Sequence, residues 1–305
     1  DGTGWVVTKG AGPASNDWTI LGNAGTTAGT NFLGTTDDVP LEFRVNNKTA
    51  GTIFTETGTR MHNINLGFGA GENANNASSS NIIGFNAGVN ATNASYSNFL
   101  GLWSGHAATN ATFSNFIGNS AGSDATNASF SNFIGSSAGR YANRASSSVF
   151  IGSNAGYEAF NASNSVFMGQ SAGRGAAMAN NSIIIGYNAG LNDVVNNTYN
   201  GLTNGTSILI GDNTKTGSFS NSIALGQGAV NTSPNQFMIG GNTLYDIVNP
   251  KYPASRSDVA TTPPTNFLYT DANGKFLSAP VNTLAGSTTT ADNGLTKTAT
   301  NKIQL

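Results

Sequence analysis

Between residues 61 and 190 the chain alternates a short apolar triplet with a long run of small and polar residues, at a fixed interval. A glycine that follows an aliphatic residue or Met recurs at Gly67, Gly84, Gly101, Gly118, Gly135, Gly152, Gly169 and Gly186, always 17 residues apart. Beyond Gly186 the interval becomes 25 (Gly211), then 15 (Gly226), then 14 (Gly240). The residue before each glycine is aliphatic or Met, with Leu100, Ile117, Ile134, Ile151 and Ile185 typical. The residue before that is Phe99, Phe116, Phe133, Phe150 and Phe167 in five successive copies. A second glycine follows four residues on, and two alanine columns run from Ala74 to Ala176 and from Ala77 to Ala179. Serine introduces the triplet from Ser80 to Ser182.

A Phe-Ile-Gly triplet introduced by Ser-Asn is β-type: aromatic and β-branched residues bounded by turn formers. No 3.6-residue stripe accompanies it, so a helical solenoid is not expected. A fixed period of this length signals repeat architecture. The expectation is an all-β, parallel β-roll of 17-residue coils, each with a strand, a turn, a second short strand and a turn. Successive coils would stack at about 4.8 Å. One coil cannot stand alone, because ordering 17 residues costs roughly 1–2 kcal/mol each and burying one Ile and one Phe returns only about 1.5–3 kcal/mol apiece. Stacking supplies the remainder.

Neighbouring strand residues point to opposite faces. Both faces here carry large apolar groups, Phe133 one way and Ile134 the other. A lone roll has one interior, so the second ladder would form the kind of exposed stripe that marks an interface. Three rolls around a common axis would bury one ladder in each lumen and the other between chains. A dimer, or docking on another fibre protein, would also cover it. The sequence does not assign either ladder to either place.

The flanks read differently. Residues 1–60 are a Gly/Thr-rich linker followed by a small β module, with alternation from Pro40 to Asn46 and a turn at Asn46-Asn47 leading toward Ile53, suited to capping a bare coil end. Residues 61–240 form the roll, with 17-residue repeats to 190, an insertion at 191–206 expected to bulge as a loop, and shorter repeats to 240. Residues 241–264, with Pro250, Pro253, Pro263 and Pro264, read as a neck or linker. Residues 265–305 read as the start of a further β fibre module. The chain is expected to be part of a longer or processed polypeptide.

Composition narrows the function classes. Only 9% of residues are charged, against roughly 25% in typical soluble domains. The formal charge of −2 gives no electrostatic basis for nucleic-acid binding. Cysteine is absent, which removes disulfides and thiolate metal sites. No apolar run approaches the ~18 residues of a membrane span, so no membrane insertion is expected of this segment. His62 and His106 are the only histidines, and Asp37-Asp38 the only adjacent acids, better read as turn capping than as acid–base machinery. The expectation is no catalytic, cofactor or metal residue and no enzyme activity; calcium-binding rolls need an Asp in each turn, where these turns carry Asn, Ser and Gly. Asn76, Asn93, Asn110, Asn127 and Asn161 sit in formal glycosylation motifs, which the repeat itself generates; stacked Asn ladders are the better reading. The candidate surface-binding residues are aromatics that break the polar turn columns: Trp103, Tyr141, Tyr157 and Tyr187, with Phe160 beside them.

The shortened copies, Asn221-Ser222-Ile223-Ala224-Leu225-Gly226 and Phe237-Met238-Ile239-Gly240, resemble the YadA-like head repeats of trimeric autotransporter adhesins. That resemblance implies trimers of left-handed parallel β-rolls, intertwined or side by side. The 17-residue copies depart from the usual 14-residue unit and look more like repeats of tail-fibre-domain proteins of Bacteroidota and their phages. Asn31-Phe32-Leu33-Gly34, Leu41-Glu42-Phe43-Arg44-Val45 and Phe267-Leu268-Tyr269-Thr270-Asp271 are similar to flanking segments of those proteins. The resemblance implies an extracellular, homotrimeric fibre of a virion tail or a bacterial cell surface. Its partners would be a cell-surface glycan or receptor and other fibre or baseplate proteins. A tail-fibre role is expected first and a cell-surface adhesin or stalk second. An ice-binding solenoid is a minor alternative, because Thr92, Thr109 and Thr126 form only a short column.

Overall fold

The computed structural model describes residues 24–57, 61–197 and 206–240, and beyond them the strands at 266–270, 276–280, 296–297 and 303–304. The chain divides into one unit ending at Tyr245 and a second beginning at Asp246. In the second unit Asn266–Thr270 pairs antiparallel with Phe276–Pro280, and Thr296–Lys297 with Ile303–Gln304. The expected neck at 241–264 and half of the insertion at 191–206, residues 198–205, lie outside the described residues; of the expected loop, Val194–Asn197 is instead a strand.

The first unit is a parallel β-solenoid, with no helix among the described residues. Strands β1 (Leu41–Val45) and β2 (Lys48–Ile53) form a hairpin. Asn46 and Asn47, at φ 47° and 57°, give the doubly left-handed corner of a tight hairpin. β2 then pairs antiparallel with β3 (Ile64–Leu66), covering the edge of the first coil. Next come β4 (Asn81–Ile83), β5 (Asn98–Leu100), β6 (Asn115–Ile117), β7 (Asn132–Ile134), β8 (Val149–Ile151) and β9 (Val166–Met168). A lateral pair, β10 (Ala177–Ala179) and β12 (Val194–Asn197), brackets β11 (Ile183–Ile185). β13 (Ile208–Ile210), β14 (Ile223–Leu225) and β15 (Phe237–Ile239) complete a thirteen-stranded sheet. From β3 onward its members are parallel and in register, so Phe116 lies over Phe133 and Ile117 over Ile134. Eleven parallel strands make about ten turns.

The expected second short strand in each coil is mostly a single residue. Asn75, Thr92, Thr109, Thr126, Asn143, Phe160 and Ala177 form one chain of parallel bridges. Left-handed corners at Asp124 (φ 57°) and Asn127 (φ 51°) flank Thr126 and leave it no room to extend. Only β10 with β12 lengthens this wall into strands.

The lumen receives the aromatic ladder. Phe99, Phe116, Phe133, Phe150 and Phe167 are fully buried. Their rings stack at centroid distances of 5.2, 4.8, 4.7 and 4.5 Å. In these coils one large side chain fills the interior, so everything facing it is small: the two alanine columns, and a third through Ala121, Ala138, Ala155 and Ala172. Gly139 shows how closely the chain wraps the ring, since a Cβ there would lie 2.2 Å from Phe133.

The serine column is buried for hydrogen bonding. Ser131 Oγ donates to the Ala145 carbonyl (2.7 Å) and accepts from Ser148 N (3.2 Å), and the same pattern repeats from coil to coil. Ser131→Ala would orphan both backbone groups, and a buried unsatisfied group costs about 1–3 kcal/mol. Denaturant melts of that variant should show a loss in this range. Outside the lumen, Asn76, Asn93, Asn110 and Asn127 form an amide ladder with Nδ2-to-Oδ1 distances of 2.9–3.1 Å. In the N-terminal loop the Thr57 hydroxyl donates to Asp38, and this bond, with help from Thr55, holds the Asp38 carboxyl below the ordinary aspartate range. Asp38 thus ties 35–39 to the loop after β2.

Candidate interaction surface

Phe133 points into the lumen, so Ile134 must point out. Leu66, Ile83, Leu100, Ile117, Ile134, Ile151, Met168, Ile185, Ile210, Leu225 and Ile239 form one continuous outward stripe along the sheet. Ile117, Ile134 and Met168 are 37–41% exposed. At about 4.8 Å per coil the stripe runs roughly 50 Å. The ladder that the sequence left unassigned is therefore the outer one.

The first strand position, two residues away on the same face, changes character midway. In β4 to β7 it is Asn81, Asn98, Asn115 and Asn132, joined by amide hydrogen bonds of 2.6–2.7 Å. From β8 on it is Val149, Val166, Ile183, Ile208, Ile223 and Phe237. The position two residues before the strand changes in the opposite sense. Tyr96, Phe113 and Phe130 precede the Asn strands, whereas Ser147, Asn164 and Asn181 precede the aliphatic ones. Each coil from β5 to β11 thus carries two apolar residues outward, and the second moves sideways across the face between β7 and β8.

Tyr96, Phe113 and Phe130 are missing from the sequence-based candidates, although their 17-residue spacing was there to be read. They are 56%, 51% and 60% exposed. Their rings stack at 4.8 and 5.1 Å, nearly parallel. All three occupy left-handed backbone corners, at φ 58–59°. Bulky side chains are uncommon in that region, and Asn164 and Asn181 occupy equivalent corners in later coils at lower cost. Nothing within the monomer requires aromatics there.

The aromatics singled out from the sequence do not form one site. Trp103 contacts His106 (4.6 Å between rings) at the start of a side turn. Tyr187 stands on its own coil beyond the Ile185 stripe. Tyr141 and Tyr157 come together edge to face at 5.8 Å. Arg140 sits over Tyr141 (4.7 Å), Arg174 over Tyr157 (5.3 Å), and Arg144 over Phe160 (5.9 Å). Asn161 is largely buried and receives a hydrogen bond from Arg144. The Thr92–Thr109–Thr126 column is bounded by Asn75 and Asn143. Among the described residues no three His, Asp or Glu side chains cluster as a metal site, and no helix is long and apolar enough to cross a membrane.

The geometry defines a class: a parallel β-solenoid with a filled lumen and a long apolar outer sheet face. No protein-family profile, curated protein or solved structure matches this chain.

Proposed function

We propose that this chain is a non-enzymatic fibre segment in which three copies assemble along their outer sheet faces, as left-handed rolls around a common axis. The fibre is of tail-fibre type and extends toward a host or target cell surface, to which it attaches. The observation that carries this reading is the outward Leu66-to-Ile239 stripe, apolar in every coil and far longer than scattered surface residues require. The left-handed corners at Tyr96, Phe113 and Phe130 support it, because their backbone cost is compensated when a second chain covers the rings. The resemblance of the short C-terminal copies to YadA-like heads agrees with three as the number.

Sedimentation equilibrium of the full chain at micromolar concentration tests the assembly. The expected result is a single species of three times the chain mass. A stable monomer, or a dimer that does not add a third chain, would overturn it.

A further inference from the structure

The second wall and its side turns carry a group of side chains that assembly along the sheet face does not use. Between residues 61 and 197 the only Lys or Arg residues are Arg140, Arg144 and Arg174, all within three successive coils. The four acids of the same stretch, Glu72, Asp124, Glu158 and Asp193, are spread along it. Arg140, Tyr157 and Arg174 occupy the same position of consecutive coils, six residues after the strand, and so form one column on the side turn. Two coil rises separate the arginines, roughly 10 Å of backbone, about the length of a disaccharide.

The details favour recognition over packing. Arg140 and Arg174 each lie against a tyrosine ring, and Arg140 Nη2 donates to the Tyr141 hydroxyl (2.8 Å). Arg174 is exposed and a guanidinium over a ring leaves its donor rim available for bidentate carboxylate binding, whereas Arg140 offers the donors that Tyr141 does not take. No carboxylate lies within 4 Å of either arginine among the described residues. Glu158, exposed on the coil between the two arginines, supplies an acceptor for hydroxyl groups. Asp124 lies one coil before Tyr141, and its carboxylate takes a hydrogen bond from Ser123. These two acids disfavour a dense polyanion such as nucleic acid or polyphosphate. They leave a place for a ligand that alternates carboxylates with hydroxyls.

We propose that the Arg140–Tyr157–Arg174 column, with Tyr141 and Glu158, binds an acidic saccharide, clamping its carboxylates on the two guanidiniums and its hydroxyls on Glu158 and the tyrosine oxygens. The inference deepens the attachment half of the proposed function and rests on it. In a trimer three such columns would act together, so weak single-site binding would add up by avidity.

The test is isothermal titration of the full chain with oligogalacturonate, with a neutral malto-oligosaccharide and polyglutamate of similar length as comparisons, and sedimentation of the same samples. Oligogalacturonate alone should bind. R140Q/R174Q should weaken it about tenfold or more, the scale of a lost charge-assisted hydrogen bond, and R174Q, at an exposed position, several-fold. Thermal melts of both variants check that the fold is kept. Equal binding of polyglutamate would reduce the site to unspecific charge and overturn the proposal, as would wild-type affinity in a folded R174Q and R140Q/R174Q. A monomer that still binds oligogalacturonate would sink the trimer and leave this site standing, whereas a trimer that ignores it would do the reverse.

Discussion

Gly135→Ala should break the solenoid in two, with a larger effect than loss of any side chain on its surface. Gly135 ends β7 at φ 133°, a backbone region that L-residues rarely adopt. A Cβ there would lie 2.6 Å from the carbonyl oxygen of Gly152, on the neighbouring coil. The obstacle is backbone, so no rotamer change relieves it. Gly152 stands in the same relation to Gly169, and Gly118 to Gly135, so the whole column is one close-packed stack. Relief requires two coils to separate, which breaks strand hydrogen bonds and opens the Phe133–Phe150 stack. Strain of 1–3 kcal/mol at one residue would be the lesser part of the loss. The expected outcome is either an insoluble product or a melt with two separate transitions, since solenoid coils are coupled only to their neighbours. Hydrogen exchange would locate the break, with protection lost first at β7 and β8. A single wild-type-like transition would show that the glycine column serves some purpose other than close stacking.

The period, the strand at each Phe-Ile-Gly and the stacking register were all legible in the sequence, because a ladder fold makes every coil repeat the same test. Its second wall was less so. Thr126 looks like a strand former, but the left-handed corners at Asp124 and Asn127 on either side are properties of the closed coil. The inside–outside choice between Phe133 and Ile134 was illegible for a simpler reason. Both residues are large and apolar, and alternation fixes only that they differ. What decides it is the opposite wall. Three alanine columns and the glycine column leave a slot for one large apolar side chain, taken by Phe in five coils and by Ile82 and Ile184 in the coils on either side. The polar Asn column in β4 to β7 obscured the outer face in the same way, because its amides bond to each other along the sheet and need no partner chain.

The same assignment separates folding from assembly in a way that aspartate scanning should expose. Phe116→Asp with Phe133→Asp places two carboxylates in a fully buried lumen. Burying an unpaired charge is prohibitive, so that double variant should fail to fold and would say nothing about partners. Met168→Asp with Ile185→Asp places the same charge on the outer face, in the half where the neighbouring column is Val166 and Ile183 and the apolar surface is two residues wide. A monomer tolerates this, because the carboxylates stay hydrated. A trimer does not, because three copies bring six carboxylates into one apolar seam. The expected outcome is a folded, soluble chain with an unchanged β spectrum and the mass of one protomer, against three for the wild type. Tyr96→Asn with Phe113→Asn and Phe130→Asn should weaken assembly less. It removes the flank only in β5 to β7, leaves Leu100, Ile117 and Ile134 in place, and relaxes three strained corners as it does so. Were the aspartate pair on the outer face to leave the trimer intact, the sheet face could not be the seam. The aromatic flank would then have to account for assembly by itself.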